Sequence, residues 1–518
     1  MNKFESKMGK NVLLESVEFF NEKWGNNKPY AKVIQTRNGS YIYDRETNKI
    51  IGGNQIEIMV IKELLYGDTY QKLIMLEKKI GRILFNKTIK HIIDFMKQEN
   101  ILKINKNYQF GLSQHYQNIE EMLEKRIKHI QLEVTEKCNM RCGYCIYNPH
   151  IEHRRNHGFK DMSFEIAKKA IQYLKSKSPD EKEIFINFYG GEPLLQIDLI
   201  KKCVNFIRRI IKDKKIYFSL TTNGILITRD IAKFLSYEDF SVTVSLDGPE
   251  ELHNKYRKKI NGNGSYNDTI RGLFNLVNAY KKKLNLISIN MVYSPPFSID
   301  KIKRMLNFKN YIPWLPEEVN VSTTYPISGS IEEVNFVFPS IDWTLAEWAI
   351  DIYKRDFISN ININKVARNI LDRKLFLLYN RPIYNSGNQK YNLNGCCVPG
   401  VKKLFVTPSG KFYPCERIPN APNIGNVNKG INLESIKKNY IKLYENMSLL
   451  TCSDCWASRL CSMCYIHVFS SKKIDENKRE RNCFLHILYL EKILKLFCEL
   501  MEIDQNRLKT FLEKKKSN

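Results

Sequence analysis

The stretch Glu136-Lys-Cys138-Asn-Met-Arg-Cys142-Gly-Tyr-Cys145 places three cysteines in one short segment. It follows Ile130-Gln-Leu-Glu-Val134, whose alternation of apolar and polar residues predicts a β-strand that leads into a loop. Three thiolates this close cannot complete the fourfold shell of a zinc ion without a ligand from elsewhere. They suit a 4Fe–4S cluster, because soft thiolates bind iron and one iron can remain without a protein ligand. A zinc knuckle is the alternative that the spacing leaves open.

The C-x3-C-x2-C spacing, with the aromatic Tyr144 just before the last cysteine, resembles the signature of radical S-adenosylmethionine (SAM) enzymes. The resemblance implies that Cys138, Cys142 and Cys145 hold a cluster whose open iron binds SAM, with Tyr144 at the cofactor. It also implies the chemistry: reductive cleavage of SAM gives methionine and a 5′-deoxyadenosyl radical, which abstracts a hydrogen atom from the substrate.

Further segments extend the resemblance. A predicted strand runs into Gly190-Gly191-Glu192-Pro193, where the glycines allow close backbone approach and the carboxylate can accept from the methionine ammonium group of SAM. Two more predicted strands run into Thr222-Asn223-Gly224 and Ser245-Leu-Asp247. The resemblance places Asn223 at the cofactor and brings Ser245 and Arg257 to its ribose and carboxylate. A helix cap at Ser245 and a surface salt bridge at Arg257 are the structural alternatives.

The order of elements predicts an α/β fold. Strands at 129–135, 183–189, 216–222, 240–246, 285–293 and 318–324 alternate with helices near 163–177, 196–212, 229–237, 267–282 and 298–308. Repeated strand–helix units imply parallel strands with right-handed crossovers. Six of them give an open, partial (βα)6 barrel, as the resemblance also implies, with ligands at the carboxyl ends of the strands.

A second group of cysteines near the C-terminus resembles a SPASM domain, the extension that carries two auxiliary 4Fe–4S clusters in peptide- and protein-modifying radical SAM enzymes. The resemblance implies a distal cluster on Cys452, Cys455, Cys461 and Cys483. It implies a proximal cluster on Cys415, Cys464 and one or both of the adjacent Cys396 and Cys397. The family has three residues between the cysteines numbered here 461 and 464, whereas this chain has two. A zinc ribbon is the alternative, since C-x2-C pairs are its usual spacing.

We expect five regions along the chain: an N-terminal domain at 1–126, the barrel at 127–335, a helical bridge at 336–389, the cluster domain at 390–486 and a helical tail at 487–518. In the first, strands at 31–36 and 40–51 with a polar turn near 46–49 precede helical stretches at 55–65 and 70–100. This pattern resembles the small winged-helix module with which peptide-modifying enzymes hold a leader peptide. A plain structural cap on the barrel is the alternative.

Composition narrows the cellular setting and the partners. Eleven of the 13 cysteines belong to the two cysteine-rich regions, and Cys203 and Cys498 are predicted to be buried. We find no signal peptide and no long apolar run, so we expect a cytoplasmic protein without a membrane partner, where reducing conditions disfavour disulfides. The net charge of +27 comes from lysines scattered over the predicted helices. This pattern indicates a solvated surface, which can attract an acidic partner, and not a nucleic-acid-binding stripe.

The resemblance to SPASM enzymes implies chemistry on a peptide or a protein. We expect a radical SAM maturase of ribosomally synthesised, cysteine-rich peptides that forms thioether crosslinks, as in sactipeptides, with a leader-bearing precursor as substrate. A flavodoxin- or ferredoxin-type protein would supply electrons.

The main alternative is an anaerobic sulfatase maturase, which forms formylglycine. In those enzymes an aspartate beside the cysteine that corresponds to Cys415 is the general base. Here Glu416 stands at that position and is the candidate catalytic residue, and Tyr189 replaces a frequent glutamine. A non-catalytic iron–sulfur electron carrier or peptide-binding protein is the third alternative, although electron transfer alone needs no SAM pocket.

Overall fold

The computed structural model describes residues 4–25, 27–66, 68–104, 109–111, 116–147, 157–324, 343–385, 390–392, 397–418, 421–470 and 473–513. Cys396 therefore lies outside the described residues, and the proximal-site prediction is followed below through Cys397 alone. None of the helices in these ranges is both long and apolar enough to span a bilayer.

The N-terminal region is a small sheet with helices around an apolar core of its own. Its elements are α1 (Phe4–Trp24), β1 (Ala31–Gln35), β2 (Ser40–Asp44), β3 (Lys49–Gly53), α2 (Gln55–Leu65), α3 (Thr69–Ile80) and α4 (Arg82–Glu99). The three strands are antiparallel in the order β1-β2-β3. Sequence analysis predicts one helical stretch over 70–100, whereas the structure ends a helix at Gly81, whose φ of +82° no helix interior accepts. Sequence analysis also does not predict α1, the helix that packs Phe20 and Trp24 into this core.

The central sheet consists of parallel strands in chain order. After β4 (Gln109–Gly111) and α5 (Ile119–Lys125) come β5 (His129–Thr135), β6 (Glu183–Gly190), β7 (Lys215–Thr222), β8 (Ser241–Ser245), β9 (Ile287–Val292) and β10 (Asn320–Thr324). The crossovers contain α6 (Phe164–Ser176), α7 (Ile197–Ile210), α8 (Arg229–Tyr237), α9 (Glu250–Tyr256), α10 (Tyr266–Tyr280), α11 (Ile299–Leu306) and α12 (Phe308–Tyr311). Each strand pairs in parallel with the next. This is an α/β fold with a mostly parallel sheet, and its strand ends lie within two residues of the sequence prediction.

The C-terminal half continues the same sheet. Its elements are α13 (Thr344–Ile358), α14 (Lys365–Tyr379), β11 (Lys390–Asn392), β12 (Leu404–Val406), β13 (Lys411–Tyr413), β14 (Gly425–Asn426), β15 (Gly430–Ile431), α15 (Leu433–Ile436), α16 (Leu443–Cys452), β16 (Phe469–Ser470), β17 (Lys473–Ile474) and α17 (Glu476–Glu513). β12 pairs in parallel with β5, with Leu404 opposite Ile130, so the sheet extends to ten strands. Because β5 leads into the loop at 136–147, the cysteine-rich C-terminal region is hydrogen-bonded to the strand that positions that loop.

The described elements pack around three large apolar cores, and a small fourth cluster contains Tyr144 and Tyr256. The largest lies between the central sheet and its helices, and a second joins α13 and α14 to α17. The helix α17 runs across the boundary that sequence analysis places between 486 and 487. Cys203 and Cys498 are buried in apolar cores, as predicted.

Candidate active site

The three cysteines of the first segment share one loop after β5. The backbone of this loop is held by the end of α9, since Gly143 N–H donates to Tyr256 O at 2.9 Å and Arg141 N–H donates to Lys258 O at 2.8 Å. Burial, followed by the charge of Glu192 for Cys138 and by the Cys142 thiol for Cys145, raises the pKa of both thiols to about 12. The loop therefore carries three partly buried thiols, which a bound cation would hold as thiolates.

Gly190 and Gly191 allow the next loop to pack directly on this one. Gly190 has a φ of +150°, and a Cβ there would lie 2.2 Å from Thr135 O. A Cβ on Gly191 would lie 2.2 Å from Lys137 O and 3.0 Å from Cys138 Cβ. The Glu192 N–H also donates to Lys137 O at 2.9 Å. No side chain fits at either position. Only glycine at 190 and 191 therefore lets the two loops lie this close together.

The Glu192 carboxylate joins the loops after β6 and β7. It accepts from Thr222 Oγ1 at 2.7 Å and from Asn223 N–H at 2.8 Å, and burial raises its pKa. Asn223 Nδ2 in turn donates to Asn139 Oδ1 at 2.7 Å. Sequence analysis places Glu192 and Asn223 at the cofactor, and that remains a prediction. The contacts in the structure tie both residues to the scaffold that holds the cysteine loop.

A buried group of polar side chains lies behind the cysteines. Arg257 Nη1 donates to the Tyr144 hydroxyl at 2.9 Å, and that hydroxyl donates to Asp247. The other carboxylate oxygen of Asp247 accepts from Val292 N–H at 2.9 Å. Burial raises the pKa of both Tyr144 and Asp247. Arg257 Nε is buried without a hydrogen-bond partner among the described residues, so this guanidinium keeps a donor for an anionic ligand.

One cavity of about 580 Å³ opens beside this group. Its barrel wall includes Tyr144, Ser245 and Arg257, and its opposite wall comes from the C-terminal half, with Glu416 and His467. The cavity therefore lies at the carboxyl ends of the parallel strands, where α/β folds bind ligands, and is enclosed by both cysteine-rich regions.

The sequence matches the Radical SAM superfamily over residues 132–308. It is 26% identical over 340 residues to the cysteine-type anaerobic sulfatase-maturating enzyme of Clostridium novyi, a match that covers 63% of this chain and 84% of that protein. It is 28% identical over 352 residues to the radical SAM cyclopropyl synthase TigE of Paramaledivibacter caminithermalis, covering 66% and 67%. It is 30% identical over 338 residues to a probable GTP 3′,8-cyclase of Methanococcus maripaludis (strain C5), covering 63% and 97%. The chain belongs to the radical SAM superfamily.

A solved structure shares the fold of this radical SAM enzyme. Native anSMEcpe with bound AdoMet superposes with a TM-score of 0.54 at 20% identity, and the match covers 75% of this chain and 99% of that one. The residues described above fit a 4Fe–4S cluster with SAM, because three sulfurs share one loop and the buried Arg257 Nε–H lacks a partner at the cavity wall. Cys138, Cys142 and Cys145 would hold the cluster, and Arg257 would bind a carboxylate of the cofactor.

The C-terminal cysteines of the radical SAM enzyme separate into two groups in space. Burial raises the pKa of Cys461 to about 12, and the thiols of Cys452, Cys483 and Cys455 add to that effect. Burial likewise raises the pKa of Cys415 to about 12, and there the contributing thiols are Cys464 and Cys397. Among the described residues, the barrel cysteines included, no three His, Cys, Asp or Glu side chains converge closely enough for a single metal ion. The grouping follows the distal and proximal sets implied by the SPASM resemblance, and their binding of clusters remains a prediction.

Glu416 lies at the cavity wall, as a candidate catalytic residue must. Its carboxylate accepts from Lys403 Nζ at 3.1 Å and is mostly shielded from solvent. Burial, and next the charge of Lys403, lower the pKa of His129 to about 4, so a neutral imidazole faces this ion pair. Tyr189 is also part of the wall, and burial followed by Glu416 raises its pKa.

Sequence analysis missed several residues that shape the cavity. The sequence shows Asp247 directly after β8. It does not show that Asp247 pairs with Tyr144, because the two residues lie 103 positions apart in the chain. The cations Arg417, Lys478 and Arg481 line the wall opposite the barrel. They carry no motif, and only the fold of the C-terminal region brings them to the site.

Proposed function

We propose that this radical SAM enzyme is a maturase that forms thioether crosslinks in a ribosomally synthesised, cysteine-rich peptide. The observation that carries the proposal is a cavity bounded by Ser245 and Arg257 on the barrel side and by Glu416 and His467 on the C-terminal side. A peptide bound there meets the SAM-side residues and the second cysteine-rich region at once. Its relatives include an enzyme named as sulfatase-maturating, which is consistent with a protein or peptide substrate.

We further propose three 4Fe–4S clusters, one on the barrel loop and two on the C-terminal cysteine groups. When bound, SAM at a reduced cluster supplies a 5′-deoxyadenosyl radical for hydrogen abstraction. The chain's own residues shape the site: Arg257 orients a carboxylate, Gly191 sets the position of Cys138, and the Glu416–Lys403 pair keeps an anionic acceptor beside the substrate. A flavodoxin- or ferredoxin-type protein is the expected reductant. A cytoplasmic setting is expected because these thiols must stay reduced.

The N-terminal region supports a role in binding a leader peptide. The β1 edge of its sheet faces α17, where Lys32 Nζ contacts Glu491 at 2.6 Å. The opposite edge, β3, has no strand partner among the described residues. A peptide added to that edge would gain main-chain hydrogen bonds, while pockets beside it would read alternate side chains. We therefore propose β3 as the strand that binds the leader.

Formylglycine formation is the second candidate, favoured by the sulfatase-maturating relatives and by Glu416 at the cavity wall. Mass spectrometry separates the two activities. Thioether formation removes two hydrogen atoms from the peptide and keeps the sulfur, whereas formylglycine formation from cysteine removes the sulfur. The reconstituted enzyme should be given a short cysteine-rich peptide that carries a leader segment, and in parallel a cysteine-containing sulfatase peptide. Loss of sulfur, or no modification beside active SAM cleavage, would contradict the proposed crosslinking.

The leader site is tested by two neighbouring substitutions, Ile50→Pro and Ile51→Pro. Neighbouring strand residues direct their N–H groups to opposite sides, so one substitution removes an outward donor and the other breaks the β2–β3 ladder. The outward variant should keep its thermal midpoint and its SAM cleavage but lose modification of leader-bearing peptide. Native-rate modification by that variant would mean that the region is only a structural cap. The variant in which proline breaks the β2–β3 ladder will be recognised by its lower thermal midpoint, and it is the matched control.

A further inference from the structure

The turn between β2 and β3 is polar and yet completely buried. Its residues run Asp44-Arg45-Glu46-Thr47-Asn48, and none of them is more than 3% exposed. A hairpin turn normally faces solvent, and burying polar groups is costly unless they find partners. This turn therefore must have a specific surface to pack against.

Part of that surface is the segment after α14. Asn48 Nδ2 donates to Pro382 O at 2.9 Å, and Arg381 Nε donates to Asn48 O at 2.8 Å. The backbone N–H of Tyr384 donates to Thr47 O at 2.9 Å. The turn is thus fixed relative to the C-terminal half by contacts on both its backbone and its side chains.

The rest of the surface is the cysteine loop at 452–455. Arg45 Nη1 donates to Ser453 O, and the guanidinium stacks on the Tyr30 ring at 3.9 Å. The Tyr30 hydroxyl donates to Asp454 in the same loop. Arg45 also pairs with Glu46 at 2.7 Å, at a site where both side chains are almost fully buried. The N-terminal sheet therefore places a buried guanidinium directly against the loop between Cys452 and Cys455.

A second buried guanidinium reaches the same thiols from α17. Arg479 Nη2 donates to Cys452 Sγ at 3.2 Å, and Nη1 donates to Met447 O at 2.9 Å. Two arginines, one from each end of the chain, thus act on one cysteine group.

We propose that Arg45 and Arg479 stabilise the reduced state of an iron–sulfur cluster held by Cys452, Cys455, Cys461 and Cys483, so that the N-terminal region helps to set its reduction potential. The inference rests on the auxiliary clusters of the proposed function. Reduction adds one electron to the cluster and breaks no bond, so the state with more negative charge gains more from buried cations and from an N–H···S hydrogen bond. Because β3 begins directly after the turn, the strand proposed to bind the leader and Arg45 belong to one hairpin.

The test is a reductive titration of the full-length chain, reconstituted anaerobically, with Cys138, Cys142 and Cys145 replaced by alanine to remove the barrel cluster. Dithionite supplies the electrons, and the distal signal in electron paramagnetic resonance is the one lost in a Cys461→Ala variant. Arg45→Gln and Arg479→Gln should each lower the equilibrium constant for reduction about tenfold, equivalent to about 59 mV for a one-electron couple. Arg45→Lys and Arg479→Lys, which keep the charge, should recover most of that loss.

Lys32→Gln is the matched control. It removes a positive charge from the same sheet, where Lys32 contacts Glu491 and the Trp456 ring but no cysteine, and it should leave the potential unchanged. Unchanged potentials in both glutamine variants at full iron content would overturn the inference and leave the proposed function standing. A parent protein with zinc or without the distal signal would overturn the auxiliary clusters as well. If a glutamine variant fails to load the cluster, recovery by the lysine variant supports the inference and failure of that recovery refutes it.

Discussion

Replacing Gly191 with alanine should disable the barrel cluster without unfolding the protein. The new Cβ would lie 2.2 Å from Lys137 O and 2.6 Å from Lys137 C, so one of the two backbones must retreat by about 0.8 Å to reach even 3.0 Å. Overpacking of this kind costs about 1–3 kcal/mol, which is less than the stability of a typical domain, about 5–15 kcal/mol. The side chains that bind a metal cluster, however, must stay within about 0.5 Å of the positions that the cluster geometry requires. Displacing Cys138 by more than this should weaken cluster binding about 10- to 100-fold, as for lost outer contacts at metal sites.

The assay for Gly191→Ala is iron content after anaerobic reconstitution, followed by formation of 5′-deoxyadenosine. Gly81→Ala is the control, because Gly81 has a φ of +82°, which strains an alanine backbone, but has nothing within 4 Å of an added Cβ. Its backbone strain costs about 1–3 kcal/mol, so both variants should lose similar stability. Only Gly191→Ala should lose iron and SAM cleavage. Wild-type iron and cleavage in that variant would refute the steric argument.

Three further predictions concern cofactor binding. Alanine at Cys138, Cys142 and Cys145 together should remove about four irons per chain and abolish 5′-deoxyadenosine formation; undiminished cleavage would contradict the assignment. The wild-type chain, reconstituted without oxygen, should carry about twelve irons, counting three cubanes of four; stoichiometric zinc with iron for one cluster would show a zinc ribbon instead. Arg257→Gln should weaken SAM binding by about 1.5–3 kcal/mol, the usual contribution of a hydrogen bond to a charged group. Isothermal titration measures that loss, and an unchanged Kd would exclude a carboxylate contact at Arg257.

The parallel sheet was predictable because its signals are local. Each strand alternates or is continuously apolar over a few residues, and turn residues or a capped helix follow it. Ser163 and Thr228, for example, accept from the third residue of α6 and α8. The cysteine and glycine motifs lie in these loops, so their approach to one another follows from parallel strands ending at one edge. Local patterns therefore locate the site.

The cavity's chemistry was less predictable because it depends on distant pairs. Nothing near Glu416 in the sequence shows that Lys403 neutralises it, or that His129 faces both. The buried turn at 44–48 has the composition of an exposed one. Its burial also changes how the N-terminal region can be tested, since deleting residues 1–125 would uncover the loop at 452–455. A substitution on β3 that removes only an outward-facing N–H leaves the turn and its contacts in place.

The parallel pairing of β5 with β12 has a consequence for biosynthesis. β5 is complete at Thr135, but its partner begins at Leu404, about 270 residues later. At roughly 5–20 residues per second, a ribosome leaves that edge of the sheet unpaired for roughly 14–54 s. Six of the seven residues of β5 are buried in the folded chain, and an open strand edge is a template for aggregation. Nascent chains of this enzyme should therefore need a chaperone or a covering segment until the C-terminal half emerges, and fragments that stop before residue 404 should be insoluble.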